Sequence, residues 1–267
     1  MKKLVLLNGN KIPVEAYGTW LIENQKASSC VQMALEAGYT HIDTAQAYGN
    51  EEGVGQGIKA ANKKRSEVYI TSKVKAEIKN YEDAKKSIDE SLKKLDTDYI
   101  DLMLIHCPQP WALYGTAYRY EKENLAVWRA LEEAYEEGKV KAIGVSNFNI
   151  SDLENIIQNA KIMPMANQIC IHIGRTDLEL INYCQNKGIV VEAYSPIAHG
   201  RILDNEQLRE IADKYNVSIP QLCIKYTLQL NTITISKASS KEHIEQNRML
   251  DFTISDSDME LLKQMRF

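Results

Sequence analysis

The feature that most constrains the fold is a regular alternation of short apolar segments with helical patterns along the whole chain of 267 residues. Segments such as 99–105 (YIDLMLI) are strongly apolar, which is typical of parallel strands buried on both faces of a sheet. Eight such strands are each followed by a helical pattern, and no Pro-, Gly- or Ser-rich linker divides the series. Eight uninterrupted βα units favour a closed (β/α)8 barrel over an open doubly wound sheet.

The pattern also predicts where each element begins and ends. Barrel strands are expected over Val14–Gly18, Tyr39–Asp43, Val68–Lys73, Ile100–His106, Lys141–Ser146, Met165–Ile169, Ile189–Tyr194 and Thr232–Ile235. Helices are expected over Gln25–Ala37, Glu51–Ala61, Tyr81–Leu95, Glu123–Glu137, Ser151–Asn159, Leu178–Asn186, Glu206–Tyr215, Ile219–Gln229, Lys241–Met249 and Asp256–Met265. A hairpin, Leu4–Leu7 and Lys11–Val14 around Asn8-Gly9, precedes the ring and is expected to plug its bottom. Three predicted helices end at Gly38, Gly138 and Gly188.

We therefore predict a single domain over residues 1–267, an α/β (TIM) barrel with an N-terminal hairpin plug and extra C-terminal helices. The 32 Lys and Arg residues against 36 Asp and Glu residues give a net charge of −4, and the two signs are interspersed. This pattern argues against a general binder of nucleic acid or of anionic membranes. No apolar run approaches the ~18 residues of a membrane span. The 5 scattered cysteines contain no C-x-x-C, which predicts reduced thiols in a cytoplasmic protein, expected to be a monomer.

Reacting groups in such barrels lie at the carboxyl ends of the strands. Asp43, Lys73 and His106 end three predicted strands, and Tyr48 lies in the loop after Asp43. Each residue alone also has a structural interpretation, but their joint placement predicts one site. A Lys cation beside a Tyr hydroxyl favours the phenolate and lowers the phenol pKa from its ordinary value near 10. Such a set can move a proton to or from a carbonyl or alcohol oxygen, and any hydride must come from a bound cofactor.

Several other chemistries are excluded by spacing. The glycines of 53–57 do not form G-x-G-x-x-G and lie inside a helical pattern, and no P-loop occurs. His106 and Cys107 are neighbours on a strand and face opposite sides, which argues against a thiol nucleophile. The histidines lack the spacing of metal ligands, so no metal site is predicted. They are His41, His106, His172, His199 and His243.

Several motifs resemble those of the aldo-keto reductases, in the same order along the chain. Residues 38–51 (GYTHIDTAQAYGNE) resemble the family signature, 71–74 (TSKV) the catalytic-lysine strand and 104–106 (LIH) the catalytic-histidine strand. The similarity extends from about residue 4 to 252 and also includes segments near the cofactor. These are 18–20 (GTW), 144–148 (GVSNF), 167–168 (NQ) and 193–196 (AYSP).

The resemblance implies a (β/α)8 barrel that reduces aldehydes or ketones to alcohols with NAD(P)H. It assigns Tyr48 as the general acid, Asp43 and Lys73 as residues that tune it, and His106 as the residue that orients the carbonyl. It also implies that Ser146, Asn147 and Gln168 bind the nicotinamide carboxamide, that Tyr194 stacks on the ring, and that main-chain amides of 195–200 meet the pyrophosphate. The full set of expected cofactor contacts is Gly18, Thr19, Trp20, Ser146, Asn147, Gln168, Tyr194, Ser195, Pro196, Ile197, Gly200, Lys237, Ala238, His243, Gln246 and Asn247.

The chain departs from the family where the adenosine 2′-phosphate is usually bound. Lys237 is present, but Ala238 replaces a Ser, and His243 stands where an Arg is usual. An Arg offers a permanent charge and a bidentate fork, whereas an imidazole makes at most one such bond. We therefore expect NADPH and/or NADH as cofactor, with weak discrimination between them. Lys241 could partly compensate.

A second departure lies after the catalytic His, where Cys107 replaces a usual Trp. The next loop carries Trp111, Tyr114, Tyr118 and Tyr120. It either packs on its own barrel or rebuilds an aromatic pocket for an apolar or ring-shaped substrate. Expected substrate contacts are Trp20, Tyr48, His106, Cys107, Trp111 and Tyr114.

Two functions remain in contention at this point. The first is a reductase whose partner is a small-molecule carbonyl substrate. The second is a non-catalytic subunit of the same fold that binds a nucleotide for regulation. The intact set of Asp43, Tyr48, Lys73 and His106 favours the reductase.

Overall fold

A computed structural model describes residues 2–267, and in it eight parallel strands close into a barrel. The antiparallel hairpin comprises β1 (Lys3–Val5) and β2 (Lys11–Pro13). The ring comprises β3 (Glu15–Gly18), β4 (His41–Asp43), β5 (Tyr69–Val74), β6 (Leu102–Ile105), β7 (Ile143–Ser146), β8 (Ala166–Cys170), β9 (Val190–Tyr194) and β10 (Ile233–Ser236). Strands pair in chain order, and β10 pairs with β3 to close the ring. The predicted barrel and its additional hairpin are confirmed.

Helices cover the outside of the ring, as predicted. They are α1 (Asn24–Glu36), α2 (Glu51–Ala60), α3 (Tyr81–Leu95), α4 (Glu121–Glu136), α5 (Ile150–Asn159), α6 (Leu178–Asn186), α7 (Glu206–Lys214), α8 (Ile219–Gln229), α9 (Lys241–Gln246) and α10 (Asp256–Gln264). Helix α9 ends three residues before the predicted Met249 because the next residues turn away to pack. There the Arg248 guanidinium donates to the carbonyl of Ala37.

Glycine ends three of the helices where the sequence places it. Gly38, Gly138 and Gly188 have φ of +93°, +76° and +74°, in the left-handed region that favours residues without a Cβ. Each glycine lies where the chain reverses direction between a helix and the barrel strand that follows it.

The hairpin covers the amino-terminal end of the barrel. Asn8 and Asn10 donate side-chain hydrogen bonds to the carbonyl of Lys141, just before β7, at 2.9 and 3.0 Å. Ile12 in β2 is fully buried. The bottom is therefore closed, and the carboxyl ends of the strands form the open face.

The inside of the barrel contains polar as well as apolar side chains. Burying polar and charged groups is costly unless they pair with one another. This polar layer lies at and just below the open face and marks the site. Its members, each at most 3% exposed, are His41, Asp43, Thr71, Lys73, Gln168 and Glu192.

No helix within residues 2–267 is both long and apolar enough to cross a lipid bilayer.

Candidate active site

Side chains from β4, β5 and β6 converge at the open face. Asp43 is the last residue of β4, Lys73 lies near the end of β5, and His106 follows β6 directly. Lys73 Nζ donates to both Asp43 carboxylate oxygens, at 2.8 and 2.9 Å, and to the Tyr48 hydroxyl at 3.2 Å. The Tyr48 and His106 rings meet edge to face with centroids 5.6 Å apart. The four residues expected to form one site are thus in direct contact.

A buried glutamine fixes the turn that presents Tyr48. The single turn Gln46–Tyr48 follows β4 and ends at Gly49, whose φ is +67°. Gln46 Nε2 donates to the Ser87 carbonyl and to Ser91 Oγ, both on α3, at 3.0 Å. Its Oε1 accepts from the Lys75 amide at 3.0 Å. Tyr48 therefore rests on a turn held from β5 and α3.

Lys73 is fully enclosed and fully paired. Besides Asp43 and Tyr48 it donates to the Thr44 carbonyl at 2.8 Å, and none of its side chain is exposed. Burial disfavours the ammonium form, but the neighbouring Asp43 and Tyr48 outweigh burial and raise the Lys73 pKa. Lys73 is therefore a cation at neutral pH, held in place by Asp43 and aimed at the phenol.

The predicted lowering of the Tyr48 pKa is wrong in its net direction. Burial of the half-buried phenol raises its pKa above 10, and Lys73 opposes this effect without cancelling it. The cation beside the phenol is the predicted one, but the loss of solvent around the hydroxyl depends on the folded loops and has the larger effect on the pKa. Tyr48 is consequently protonated at neutral pH, with Lys73 placed to stabilise any charge that forms on its oxygen.

His106 is a neutral imidazole at the base of the cavity. Burial, with a contribution from Lys73, lowers its pKa to about 3. Its Nδ1 is buried and makes no hydrogen bond within residues 2–267, which leaves Nε2 to face the cavity. A neutral ring can donate one N–H to a substrate oxygen.

One large cavity opens above these residues. Its volume is about 820 Å³, and it runs from Trp111 and His106 at one end to the 195–200 segment and Lys237 at the other. The predicted contacts that line it are Gly18, Trp20, Asp43, Tyr48, His106, Trp111, Ser146, Asn147, Gln168, Tyr194, Ser195, Pro196, Ile197, Gly200 and Lys237.

Asn147 ties three strand ends together. Its backbone lies in the left-handed region with a φ of +62°. Its Nδ2 donates to the His106 carbonyl and to Ser146 Oγ, both at 3.0 Å, and its Oδ1 accepts from the Tyr194 hydroxyl at 2.8 Å. Both ends of the Asn147 amide are therefore engaged by the protein.

Gln168 is engaged at one end only. Its Nε2 donates to Asp43 Oδ2 at 2.8 Å and to Glu192 Oε2 at 3.0 Å. Its Oε1 accepts no hydrogen bond from residues 2–267, and the residue lines the cavity. Gln168 thus presents a free carbonyl oxygen to a ligand.

The rim after β9 has an unusual backbone. Ser195, Ala198 and His199 have φ of +55°, +48° and +56°, which non-glycine residues rarely adopt. Such conformations concentrate at functional sites. The His199 ring also contacts the Trp20 ring at a tilt of 59°, with centroids 5.1 Å apart, and both residues line the cavity.

Some predicted cofactor contacts lie outside the cavity lining. Thr19 is fully buried and its Oγ1 donates to the Asp43 carbonyl at 3.0 Å. Ala238 is also buried, and its carbonyl accepts from the Tyr17 hydroxyl at 2.6 Å. His243 and Gln246 are exposed on α9, and the partly buried Asn247 follows it.

The structure contradicts the predicted substrate contact of Cys107. The residue is fully buried and absent from the cavity lining. Its carbonyl accepts from the Lys79 ammonium at 2.9 Å, which anchors the chain as it leaves β6. The side chain after His106 points away from the open face, as strand alternation requires.

The aromatic loop 108–120 supplies a wall near His106. Trp111 lines the cavity and meets the His106 ring edge to face at 5.3 Å. The buried Gln109 organises the loop: its Nε2 donates to the carbonyls of Thr116 and Tyr118 at 3.0 and 2.6 Å. Tyr114 contacts Trp111 at 5.9 Å but does not line the cavity. Of the two interpretations of this loop, the rebuilt pocket is the one that the position of Trp111 supports.

Sequence reasoning missed several residues of the site. Leu21, Ala47, His199 and Ile235 line the cavity. Ala47 directly precedes Tyr48, so its position was inferable, whereas the tilted contact of His199 with Trp20 joins two loops that are distant in sequence. Glu192 gave only one signal, a lone carboxylate within an apolar strand, and its partner is set by the β8–β9 register that pairs it with Gln168.

The residues present fit a nicotinamide dinucleotide. The cavity offers a free amide oxygen on Gln168, the aromatic face of Tyr194 and the cation of Lys237 along its length. These are an acceptor for a carboxamide, a surface for a ring and a charge for a phosphate. The imidazole of His106 and the phenol of Tyr48 lie at the inner end, where a carbonyl would react.

Comparison with known proteins agrees with this geometry. Residues 16–266 match the aldo/keto reductase family. The chain is 43% identical over 258 residues to the glyoxal reductase of Bacillus subtilis, covering 96% of this chain and 89% of that protein. It is 38% identical over 278 residues to an NAD/NADP-dependent indole-3-acetaldehyde reductase of Schizosaccharomyces pombe, covering 97% and 93%.

Solved structures lead to the same family. An aldo/keto reductase from Brucella melitensis superimposes with a TM-score of 0.91 at 38% identity, covering 98% of both chains. These relatives are named as reductases and give no support to the non-catalytic alternative. The chain therefore belongs to the aldo-keto reductase family, enzymes that reduce carbonyl compounds with NAD(P)H.

Proposed function

We propose that this enzyme reduces small aldehydes or ketones to alcohols, with Tyr48 as the proton donor. The observation that carries the proposal is the contact of the buried Lys73 ammonium with the Tyr48 hydroxyl, 3.2 Å apart, at the inner end of the cavity. A phenol beside a fixed cation in a site largely closed to water is suited to transfer a proton to a developing alkoxide.

The roles of the four residues follow from their contacts. His106 donates an N–H to the substrate oxygen and orients the carbonyl. Bound NAD(P)H supplies the hydride. Tyr48 gives its proton to the same oxygen, and Lys73 stabilises the phenolate that remains. Asp43 keeps Lys73 in place and compensates its charge, because both of its carboxylate oxygens accept from Nζ.

The cofactor would be held by residues along the rest of the cavity. Gln168 would accept from the nicotinamide carboxamide, and Tyr194 would lie against the ring. The backbone of 195–200 would meet the pyrophosphate, and Lys237 would meet the adenosine end. We infer that both NADPH and NADH serve, since an exposed His243 replaces the usual Arg on α9.

The walls near the reacting groups suggest small substrates. Trp20 and Trp111 are 44% and 42% exposed and both line the cavity, which favours compact carbonyl compounds with an apolar or ring-shaped group. The relative from Bacillus subtilis is named for glyoxal, a small dicarbonyl, which is consistent with this class. Four of the five cysteines are buried as thiols, which supports a reducing, cytoplasmic location.

The test is the substitution Tyr48→Phe, which removes only the hydroxyl. We expect turnover with a generic aldehyde to fall by roughly 10²- to 10⁴-fold, the range for a positioned acid, because no other phenol among residues 2–267 contacts Lys73. The dissociation constant for NADPH, measured by quenching of intrinsic fluorescence, should stay within about twofold of wild type, a change below ~0.5 kcal/mol. Near-normal turnover in Tyr48→Phe would contradict the assignment.

A further inference from the structure

The polar layer contains a carboxyl group that the proposed mechanism does not use. Glu192 lies in the middle of β9 with no exposed surface, and its register partner on β8 is Gln168. Its Oε2 accepts from Gln168 Nε2 at 3.0 Å, and its Oε1 makes no hydrogen bond within residues 2–267. A buried carboxyl with one free oxygen is costly, so its presence requires a reason.

Besides Gln168 on the adjacent β8, the groups that face Glu192 come from β4 and β5, which are not adjacent to β9 in the ring. On β4, His41 Nε2 lies 3.9 Å from Glu192 Oε1, and Asp43 shares the Gln168 amide with it. On β5, Lys73 and Tyr69 act on it electrostatically, and the Tyr69 hydroxyl also makes no hydrogen bond within the described residues. The hydrogen bonds that connect Glu192 to Asp43 therefore run through the amide of Gln168.

The tautomer of His41 can be assigned from its partners. Its Nδ1 lies 3.2 Å from the Pro13 carbonyl, which can only accept, so Nδ1 carries the hydrogen. Burial lowers the His41 pKa to about 3, so Nε2 is unprotonated and accepts from Thr71 Oγ1 at 2.8 Å. His41 therefore offers no hydrogen to Glu192, whose hydrogen-bonding role is directed entirely at Gln168.

The Gln168 amide is consequently fixed in one orientation. Both N–H groups of its Nε2 donate to carboxyl oxygens, one of Asp43 and one of Glu192. A flipped amide would place Oε1 against the ionised Asp43 carboxylate, which is repulsive whether or not Glu192 carries a proton. With the amide nitrogen held inwards, Oε1 is the only polar atom of the side chain that can meet a ligand.

We propose that Glu192 is a positioning residue for cofactor binding: together with Asp43 it clamps the Gln168 amide so that Oε1 accepts the carboxamide N–H of the nicotinamide. This inference rests on the proposed function, because it assigns the nicotinamide to the Gln168 side of the cavity. Glu192 does not contact the cofactor itself. Its effect on the cofactor is transmitted by the side chain of Gln168.

The first experiment compares NADH with its 3-acetylpyridine analogue, in which an acetyl group replaces the carboxamide and carries no N–H. We expect wild type to bind the analogue about 3- to 10-fold more weakly, as expected for one lost hydrogen bond. Equal dissociation constants for the two nucleotides would overturn the proposal without any substitution. Failure of wild type to bind either nucleotide would instead contradict the proposed function.

The second experiment is a cycle of substitutions at Glu192 and Gln168, again read by dissociation constants. Glu192→Met removes the acceptor and should weaken NADH binding about 3- to 10-fold while reducing discrimination against the analogue. Glu192→Gln retains an acceptor oxygen and should bind NADH within about twofold of wild type. In a Gln168→Met background, Glu192→Met should have no additional effect.

Two outcomes of the cycle would overturn the proposal. Additive effects of Glu192→Met and Gln168→Met would mean that Glu192 does not act through Gln168. An effect of Tyr69→Phe as large as that of Glu192→Met would mean that any change in the polar layer disturbs binding. Tyr69 is the matched control because it faces Glu192 but contacts neither Gln168 nor Asp43 through its hydroxyl.

Discussion

At the scale of the single residue, the site depends most on Lys73. One buried ammonium is bonded to a carboxylate, a main-chain carbonyl and the phenol that we propose as the proton donor. Removing one partner from a buried ion pair is more damaging than removing both, because an uncompensated charge is left inside. Single and paired substitutions of Lys73 and Asp43 can therefore distinguish a loss of catalysis from a loss of stability.

Lys73→Met should therefore reduce turnover more than Asp43→Asn. The methionine removes the cation that stabilises the Tyr48 phenolate, and we expect a loss of about 100-fold or more. The asparagine keeps an oxygen that accepts from Lys73, and we expect a loss nearer tenfold, or ~1.4 kcal/mol. Single-turnover rates at saturating cofactor give the comparison.

The paired variant Lys73→Met/Asp43→Asn is the control for misfolding. It contains no unpaired charge and should be more resistant to urea than Lys73→Met alone, while remaining as inactive. A larger loss from Asp43→Asn than from Lys73→Met would reverse the assigned roles.

The residues of the site could be predicted because three of them end apolar strands. Asp43, Lys73 and His106 each follow a β-branched or apolar run, and the closed ring brings strand ends together whatever the details. The protonation of Tyr48 could not be predicted, because its pKa depends on how completely neighbouring loops exclude solvent. Glu192 could not be predicted as a site residue, because its hydrogen-bond partner, Gln168, is 24 positions away on another strand.

At the scale of the element, the strands were easier to predict than the segments that follow them. Strand Leu102–Ile105 ends one residue before His106, close to the predicted end. The loop 108–120 was recognisable as aromatic, but its shape depends on Gln109, a polar residue that is 1% exposed. A buried side-chain amide that organises a loop leaves no periodic pattern in the sequence.

Helix α9 carries His243, the residue that we propose weakens the choice of NADPH over NADH. His243 is exposed on this helix, close in sequence to the cavity-lining Lys237. His243→Arg introduces a permanent charge and a bidentate donor for the 2′-phosphate. NADPH affinity should rise by about tenfold (~1.4 kcal/mol) and NADH affinity should change little. Dissociation constants for both cofactors, each at low and high salt, provide the measurement.

The neighbouring Glu242→Gln serves as the control for this substitution. It changes the net charge by the same amount on the same exposed helix, but it adds no donor fork at position 243. Its NADPH affinity should remain close to that of wild type, with any small gain lost at high salt. Strong selectivity for NADPH in wild type, unaltered by His243→Arg, would contradict the assignment of this position.

At the scale of the whole molecule, the closed barrel encloses an uneven set of charges. Asp43 and Glu192 are two carboxyl groups beside one ammonium, Lys73, and all three are at most 3% exposed. Burial and the nearby Asp43 raise the Glu192 pKa from 4.5 to about 7, although Gln168 and Lys73 oppose this. The folded barrel therefore holds a proton on Glu192 at pH values where the unfolded chain has released it.

The stability of the fold should consequently fall as pH rises through this window. Between about pH 4.5 and 7 the folded state binds more protons at Glu192 than the unfolded state, so the free energy of unfolding decreases with pH. The total effect is on the order of 3 kcal/mol. Glu192→Gln has no such proton, so its free energy of unfolding relative to wild type should increase by roughly 2–3 kcal/mol from pH 5 to pH 8.

Urea unfolding of wild type and Glu192→Gln at a series of pH values measures this difference directly. The pH dependence that arises from all other groups is the same in both proteins and cancels in the difference. Tyr69→Phe again provides the control, because it removes a hydroxyl that interacts with Glu192 without removing a carboxyl group. Its difference from wild type should stay constant over the same range. If the Glu192→Gln difference were equally constant, the proton would not reside on Glu192, and the excess negative charge inside the barrel would have to be balanced by another group.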